Sequence, residues 1–168
     1  MEIRIAGLEP ASVTDGDGFR FVLFTQGCTH NCYQCHNPET HDLNGGVLTT
    51  TDNIIAAFKK MKDSLTRGIT FSGGEPFLQV DPCIEIAREV HTIETKLYPK
   101  TGKYCDVWSY SGYTYEELKA DPNKRRLLKV IDVLIDGPYI QDLRDINLQY
   151  RGSSNQRILH LKNGEIIK

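Results

Sequence analysis

Three cysteines within eight residues, Cys28, Cys32 and Cys35, constrain this 168-residue chain more than any other feature. Their spacing is C-x3-C-x2-C, and they come soon after the apolar run Phe21 to Phe24. One short loop carrying three thiolates can hold three irons of a cubane 4Fe–4S cluster, whereas electron-transfer clusters normally take four cysteines. The fourth iron would then stay open to a substrate or cofactor. His30, His36 and His41 lie close by, so a Cys3His zinc site is a second reading, since tetrahedral zinc accepts that donor set. Zinc ligands usually come as two separated pairs that join two segments, and the sequence offers no second pair. Disulfides fit least, because the cysteine total is five and no secretory signal pattern opens the chain.

The length suits a single domain spanning 1–168, large enough to build a core without covalent staples. A formal charge of −2 argues against a nucleic-acid partner, which would favour a strongly basic face. No apolar stretch reaches the length of a membrane span, and cysteines of this kind suit a reducing cytoplasm. Cys83 and Cys105 stand apart and read as small buried hydrophobes.

Periodicity divides the chain into alternating strands and helices. Met1 to Leu8 and Phe19 to Thr25 read as strands, and Asn44-Gly45-Gly46 as a break. Thr51 is expected to cap a helix whose apolar positions are Ile54, Ile55, Phe58, Met61 and Leu65. Ile69 to Phe71 is a short strand. Asp81-Pro82 then opens a helix with Ile84, Ala87, Val90 and Leu97 inward and Pro99 near its end. Tyr104 to Trp108 is another strand, and Thr114 to Glu117 is a capping box. Asp121-Pro122 starts a further helix, Ile131 to Ile135 is a strand, and Arg157 to Leu161 is the last one. The alternation predicts an α/β fold with a parallel sheet covered on both faces. Four unusual segments each come directly after a strand: the cysteine loop, Ser72 to Pro76, Ser109 to Tyr113 and Asp136 to Tyr139. A parallel sheet brings such segments to its carboxyl edge, where ligands bind.

Gly73-Gly74-Glu75-Pro76 reads alone as a flexible turn. At a strand end facing the cysteine loop, its glycines would also let backbone approach a charged amino-acid group. Asp132 reads as a junction residue, and Asp136 as a candidate ligand contact at the carboxyl edge. Lys124, Arg125, Arg126 and Lys129 form a basic helix face, either solvated or a partner dock.

The cysteine spacing and the Gly73-Gly74-Glu75 turn resemble the radical S-adenosylmethionine (SAM) family. Asp17-Gly18-Phe19-Arg20, Asn37-Pro38-Glu39-Thr40 and Ser72 to Pro76 are similar to its glycyl-radical activases. Ser109 to Tyr113, Val133 to Gly137 with Gln141-Asp142-Leu143, and Arg151 to Gln156 resemble the branch that serves anaerobic ribonucleoside-triphosphate reductase. Relatives commonly have proline where Asp17 stands between Gly16 and Gly18, a difference confined to a turn.

The resemblance implies a truncated (β/α) half-barrel, with Cys28, Cys32 and Cys35 holding the cluster and SAM on the open iron. It implies that Gly73, Gly74 and Glu75 hold the SAM amino group. Gln34, Cys35 and His36 would lie beside the adenine, with the His36 ring as a base contact, and Asp136 would touch ribose or SAM. A flavodoxin or ferredoxin would supply one electron, and the adenosyl radical would take hydrogen from a glycine of the reductase. No side-chain acid or base is required, and a homodimer is compatible with this reading. A pyruvate formate-lyase activase, a small-molecule radical SAM enzyme, and a zinc or electron-transfer module stay as alternatives. The Arg151 to Gln156 run has no evident physical role in the sequence.

Overall fold

A computed structural model describes residues 1–96 and 102–167 as a mixed α/β fold built on one eight-stranded sheet. In chain order the strands are β1 (Glu2–Ser12), β2 (Phe19–Thr25), β3 (Val47–Thr50), β4 (Thr66–Gly73), β5 (Asp106–Tyr110), β6 (Val133–Asp136), β7 (Arg157–Lys162) and β8 (Glu165–Ile166). The helices are α1 (Thr51–Met61), α2 (Val80–Val90), α3 (Tyr115–Ala120) and α4 (Lys124–Leu128). The spatial order is β3-β1-β2-β4-β5-β6-β7-β8. Among the described residues, no helix is long and apolar enough to cross a membrane.

Only the central block β2-β4-β5-β6 is parallel. The expected all-parallel sheet is therefore corrected at both sides, where β1, β3, β7 and β8 pair antiparallel. Short connections explain the β1–β2 and β7–β8 pairs, since a hairpin-length link cannot supply the crossover that parallel pairing needs. β3 was not expected; it comes just after the Asn44-Gly45-Gly46 break and pairs with the start of β1.

Both faces of the sheet are not helix-covered either. All four helices pack on one face, where Phe21, Leu23, Ile69, Phe71, Val107 and Leu134 form the main core with Phe58, Ile84, Leu118 and Leu127. The other face carries Trp108, Val133 and Ile135, packed by Tyr110, Tyr150 and Ile158 without a helix residue. Side chains alternate between faces along each strand, so one face builds the core and the other is free to line a site.

Several boundaries shift for local reasons. Thr50, not Thr51, caps α1, accepting from Asn53 N at 3.3 Å, while buried Thr51 hydrogen-bonds the Met1 backbone. The helix stops at Met61, leaving Leu65 outside it and exposed. α2 starts at Val80, ahead of Asp81-Pro82, because Gln79 turns inward to bond Arg4 and Gln26 backbone. Leu97 and Pro99 lie outside the described residues. β5 begins at Asp106, since Tyr104 makes only an isolated bridge to Glu94. Asp132 joins α4 to β6 as expected, its Oδ2 accepting from Val107 N and meeting His91 Nε2, both at 2.8 Å.

The capping box ahead of α3 is present in full: Glu117 N donates to Thr114 Oγ1, and Thr114 N to Glu117 Oε2. Thr114→Ala is expected to cost about 1 kcal/mol of stability, read as a lowered urea midpoint with unchanged slope.

Candidate functional site

The four parallel strands end in register, with Thr25 beside Gly73, Phe71 beside Ser109, and Tyr110 beside Ile135. The loops leaving these strands therefore meet at one edge. There a cleft of about 600 Å³ is lined by Cys28, Cys32 and Cys35, by Ser72 to Gly74, by Tyr110 to Gly112, and by Gly137 and Tyr139. That volume falls inside the range of about 300–1,000 Å³ common to small-molecule sites.

The cysteine loop is shaped by backbone rather than by sulfur. Gly27 N donates to Thr40 O at 2.8 Å, Cys28 N to His41 O at 3.3 Å, and Cys35 N to Cys32 O at 3.1 Å. Asn31 and Gln34 both take left-handed φ, 51° and 58°, curling the chain so that the three cysteines reach one cleft. All three thiols are free and half-buried. Burial pushes the Cys28 thiol up, partly offset by the His30 backbone N–H. Asn37 N donates to Cys35 Sγ at 3.4 Å. Three unpaired thiols, one with an N–H already on its sulfur, form a donor set that suits an iron–sulfur cluster.

Across the cleft the double-glycine turn is locked to the same loop. Gly74 N donates to Thr25 O and Glu75 N to Gly27 O, each at 2.8 Å. A Cβ at Gly74 would sit 2.4 Å from Gly27 O, and Gly73 has φ 89°. Only glycine permits two backbones to approach so closely in that conformation.

Glu75 is placed differently from the expectation. Its carboxylate is fully buried and saturated by the protein. His30 Nε2 lies 2.7 Å from Oε2, Gly112 N donates to Oε2 at 2.9 Å, Phe77 N donates to Oε1 at 3.0 Å, and Ser111 Oγ reaches both oxygens at 3.0 Å. It ties the cysteine loop to the ends of β4 and β5, and the turn faces the cleft through Gly73 and Gly74. His30 also stacks edge-on against Tyr113, with centroids 4.4 Å apart.

Asp136 also departs from its expected place. It is buried in an ion pair with Arg157, Nε donating to Oδ1 at 3.0 Å, and accepts from Tyr115 N at 2.6 Å. Gly137, the next residue, is the one that lines the cleft. Gln34 is exposed, its amide 3.4 Å from the Tyr33 hydroxyl, and does not line the cleft. His36 does line it, its ring 4.9 Å from that of Tyr139.

Among the described residues, no three His, Cys, Asp or Glu side chains converge on a single ion. A cubane takes its three thiolates on separate irons and needs no such convergence.

Over residues 14–159 the chain matches the family described as a 4Fe-4S single cluster domain. It is 38% identical over 152 residues to the anaerobic ribonucleoside-triphosphate reductase-activating protein of Vibrio cholerae serotype O1, covering 89% of this chain and 92% of that protein. The chain belongs to this activating-protein family. The protein of that name from Escherichia coli K12 is 34% identical over 155 residues, 91% of this chain and 96% of that one. The phage T4 protein is 34% identical over 149 residues, 89% and 88%.

Two parts of this family member's site escaped the sequence reading. The first is Arg151 to Gln156, which forms a wall of the cleft. Gln156 Oε1 accepts from Gly152 N at 2.9 Å, its Nε2 donates to Gly137 O at 3.1 Å, and Asn155 Nδ2 donates to Pro138 O at 2.7 Å. Arg151, Gly152 and Gln156 all face the cleft. The polar composition of the run gave no sign of this, because its partners are carbonyls 17 to 19 residues earlier.

The second is a buried Arg20–Asp106 pair. Arg20 Nη1 lies 2.7 Å from Asp106 Oδ1, Nε donates to Thr70 Oγ1 at 2.7 Å, and Nη2 donates to Ile69 O at 2.7 Å. The Trp108 ring covers the guanidinium at 5.0 Å. Thr70 donates in turn to Asp15 O at 2.8 Å, and Asp15 lines the cleft. An arginine inside the apolar run Phe19 to Phe24 was the one available signal.

Proposed function

We infer that the chain is a radical SAM activase, holding a 4Fe–4S cluster on Cys28, Cys32 and Cys35 and binding SAM in the cleft. Its protein substrate is anaerobic ribonucleoside-triphosphate reductase, on which it generates a glycyl radical. The observation that carries this reading is a single one. Three free thiols from one loop share a small-molecule-sized cleft with the Gly73–Gly74 turn, in a chain whose relatives bear the activating-protein name.

When bound, the cluster and SAM would supply one-electron cleavage of the sulfonium and so a carbon radical able to take a hydrogen atom. The protein's part is positioning. The backbone bonds between Thr25, Gly27, Gly74 and Glu75 fix the cysteine loop against the glycine turn, so metal-bound and amino-acid-bound ends of one ligand would be held in register. Gly73 and Gly74 offer backbone to the amino group, and His36 with Tyr139 offers a ring surface for the base. We further read the four parallel strands, with helices on one face and the cleft at their carboxyl edge, as a half-barrel of the radical SAM type. Its electron donor would be a flavodoxin or ferredoxin, in the cytoplasm.

Anaerobic reconstitution with iron and sulfide tests this reading. The expected product is a brown protein with about four irons per chain, which binds SAM and cleaves it to methionine and 5′-deoxyadenosine on reduction. Incubation with the reductase should then give the spin-resonance doublet of a glycyl radical. A colourless protein that retains one zinc and leaves SAM intact would defeat the reading.

A further inference from the structure

We propose that Arg151 anchors the carboxylate of the small molecule bound in the cleft. The identity of that molecule, SAM, rests on the function inferred above. Arg151 is the one lysine or arginine lining the cleft among the described residues. Its Nε is buried without a hydrogen-bond partner. Its Nη1 makes a long bond, 3.3 Å, to Gln156 O. Among the described residues no carboxylate forms an ion pair with it. A buried guanidinium N–H with no acceptor is costly, and it is most simply satisfied by an anion from outside the chain.

The backbone that delivers Arg151 is strained in support of the same assignment. Tyr150 has φ 58°, a left-handed conformation that a bulky aromatic residue rarely adopts. Two contacts hold it there: Tyr110 OH donates to Tyr150 O at 2.7 Å, and the Trp108 ring meets the Tyr150 ring edge-on at 5.4 Å. On the other side Gly152 is pressed against Tyr139, where an added Cβ would lie 3.0 Å from the ring and 3.6 Å from His36. The chain thus takes a left-handed conformation at Tyr150, packs closely against Tyr139 at Gly152, and puts the arginine between them on the cleft wall. Strain of this sort gathers at ligand sites, where a surrounding framework enforces it.

A guanidinium presents a planar fork that matches a carboxylate. SAM carries one anionic group, its methionine carboxylate, alongside an ammonium and a sulfonium. The assignment therefore separates the two ends of the amino-acid moiety: backbone of Gly73 and Gly74 for the ammonium, Arg151 for the carboxylate.

The test uses the reconstituted protein and reads binding rather than turnover. Wild type, Arg151→Gln and Arg151→Lys are titrated anaerobically with SAM and with 5′-methylthioadenosine, which keeps the nucleoside but lacks the carboxylate. Iron content and thermal midpoint are measured for each. Loss of a charge-assisted bond predicts that Arg151→Gln weakens SAM binding by about ten-fold or more, that Arg151→Lys recovers part of it, and that 5′-methylthioadenosine binding stays within about two-fold. Equal loss for both ligands, or unchanged SAM binding, would overturn the assignment. Unchanged SAM binding with weakened binding of the reductase would overturn it too, by giving the guanidinium to a carboxylate of the protein substrate. If wild type itself binds no SAM, the functional reading fails first, and it fails separately.

Discussion

Methionine in place of Arg20 is expected to destabilise the chain by about 3–5 kcal/mol, because it strands Asp106 as an uncompensated buried charge. Arg20 has no exposed surface and its partner very little. The guanidinium also serves Thr70 and the Ile69 carbonyl, both of which would lose their donor. Urea unfolding of the iron-free chain checks the magnitude. Arg20→Met with Asp106→Leu should recover much of the loss, since removing both charges leaves no orphan. The pH dependence gives an independent sign. Burial already raises the Asp106 carboxyl, with the Arg20 charge and hydrogen bond pulling it down. Without Arg20 it rises further. A carboxyl raised in the folded state favours folding below its unfolded value and loses that contribution as pH climbs through the folded one. The deficit of Arg20→Met relative to wild type should therefore grow from about pH 4 to pH 7. A deficit that is flat or shrinks over that interval would count against the pair.

Glu75→Ala is expected to cost about 4 kcal/mol or more, an effect reserved for breaking a buried network. It leaves His30 Nε2, Ser111 Oγ and the Gly112 and Phe77 amides without their shared acceptor. Glu75→Gln is the sharper probe, because it keeps one oxygen and the volume while facing an amide N–H₂ toward donors. Its expected signature is a folded chain that takes up less iron on reconstitution, since the cysteine loop loses its side-chain tether at His30. Iron and sulfide per chain, alongside far-ultraviolet circular dichroism, measure both halves. A Glu75→Gln chain with full iron would show that the backbone bonds alone hold the loop, and that the carboxylate matters only to stability.

The parts of this site that were legible in the sequence are those set by local chemistry. Three cysteines on one loop, a double glycine after a strand, and Thr114 with Glu117 each announce themselves within a few residues. Strand-end convergence was legible too, because it depends on order alone, and Cys28, Gly73, Tyr110 and Gly137 do meet at one edge. The features that failed depend on partners far along the chain. Asp136 reads as a free carboxylate until Arg157 is seen 21 residues later to take it. Glu75 reads as a ligand until His30 and Ser111, 45 and 36 residues away, are seen to consume both its oxygens. Gln34 has a left-handed φ, is exposed and does not line the cleft, details that spacing cannot express. The strand directions of β1 and β7 were misread because alternation along the chain does not record which neighbour each strand chooses.

The cysteine loop owes its shape to hydrogen bonds that involve no sulfur, running from Gly27 to Thr40, from Cys28 to His41 and from Glu75 to Gly27. Oxygen that strips iron from such a protein would therefore leave an intact mould. Recovery after exposure to air then becomes a matter of refilling rather than refolding, and slow deuterium uptake at Gly27 and Glu75 in the stripped chain would be its mark.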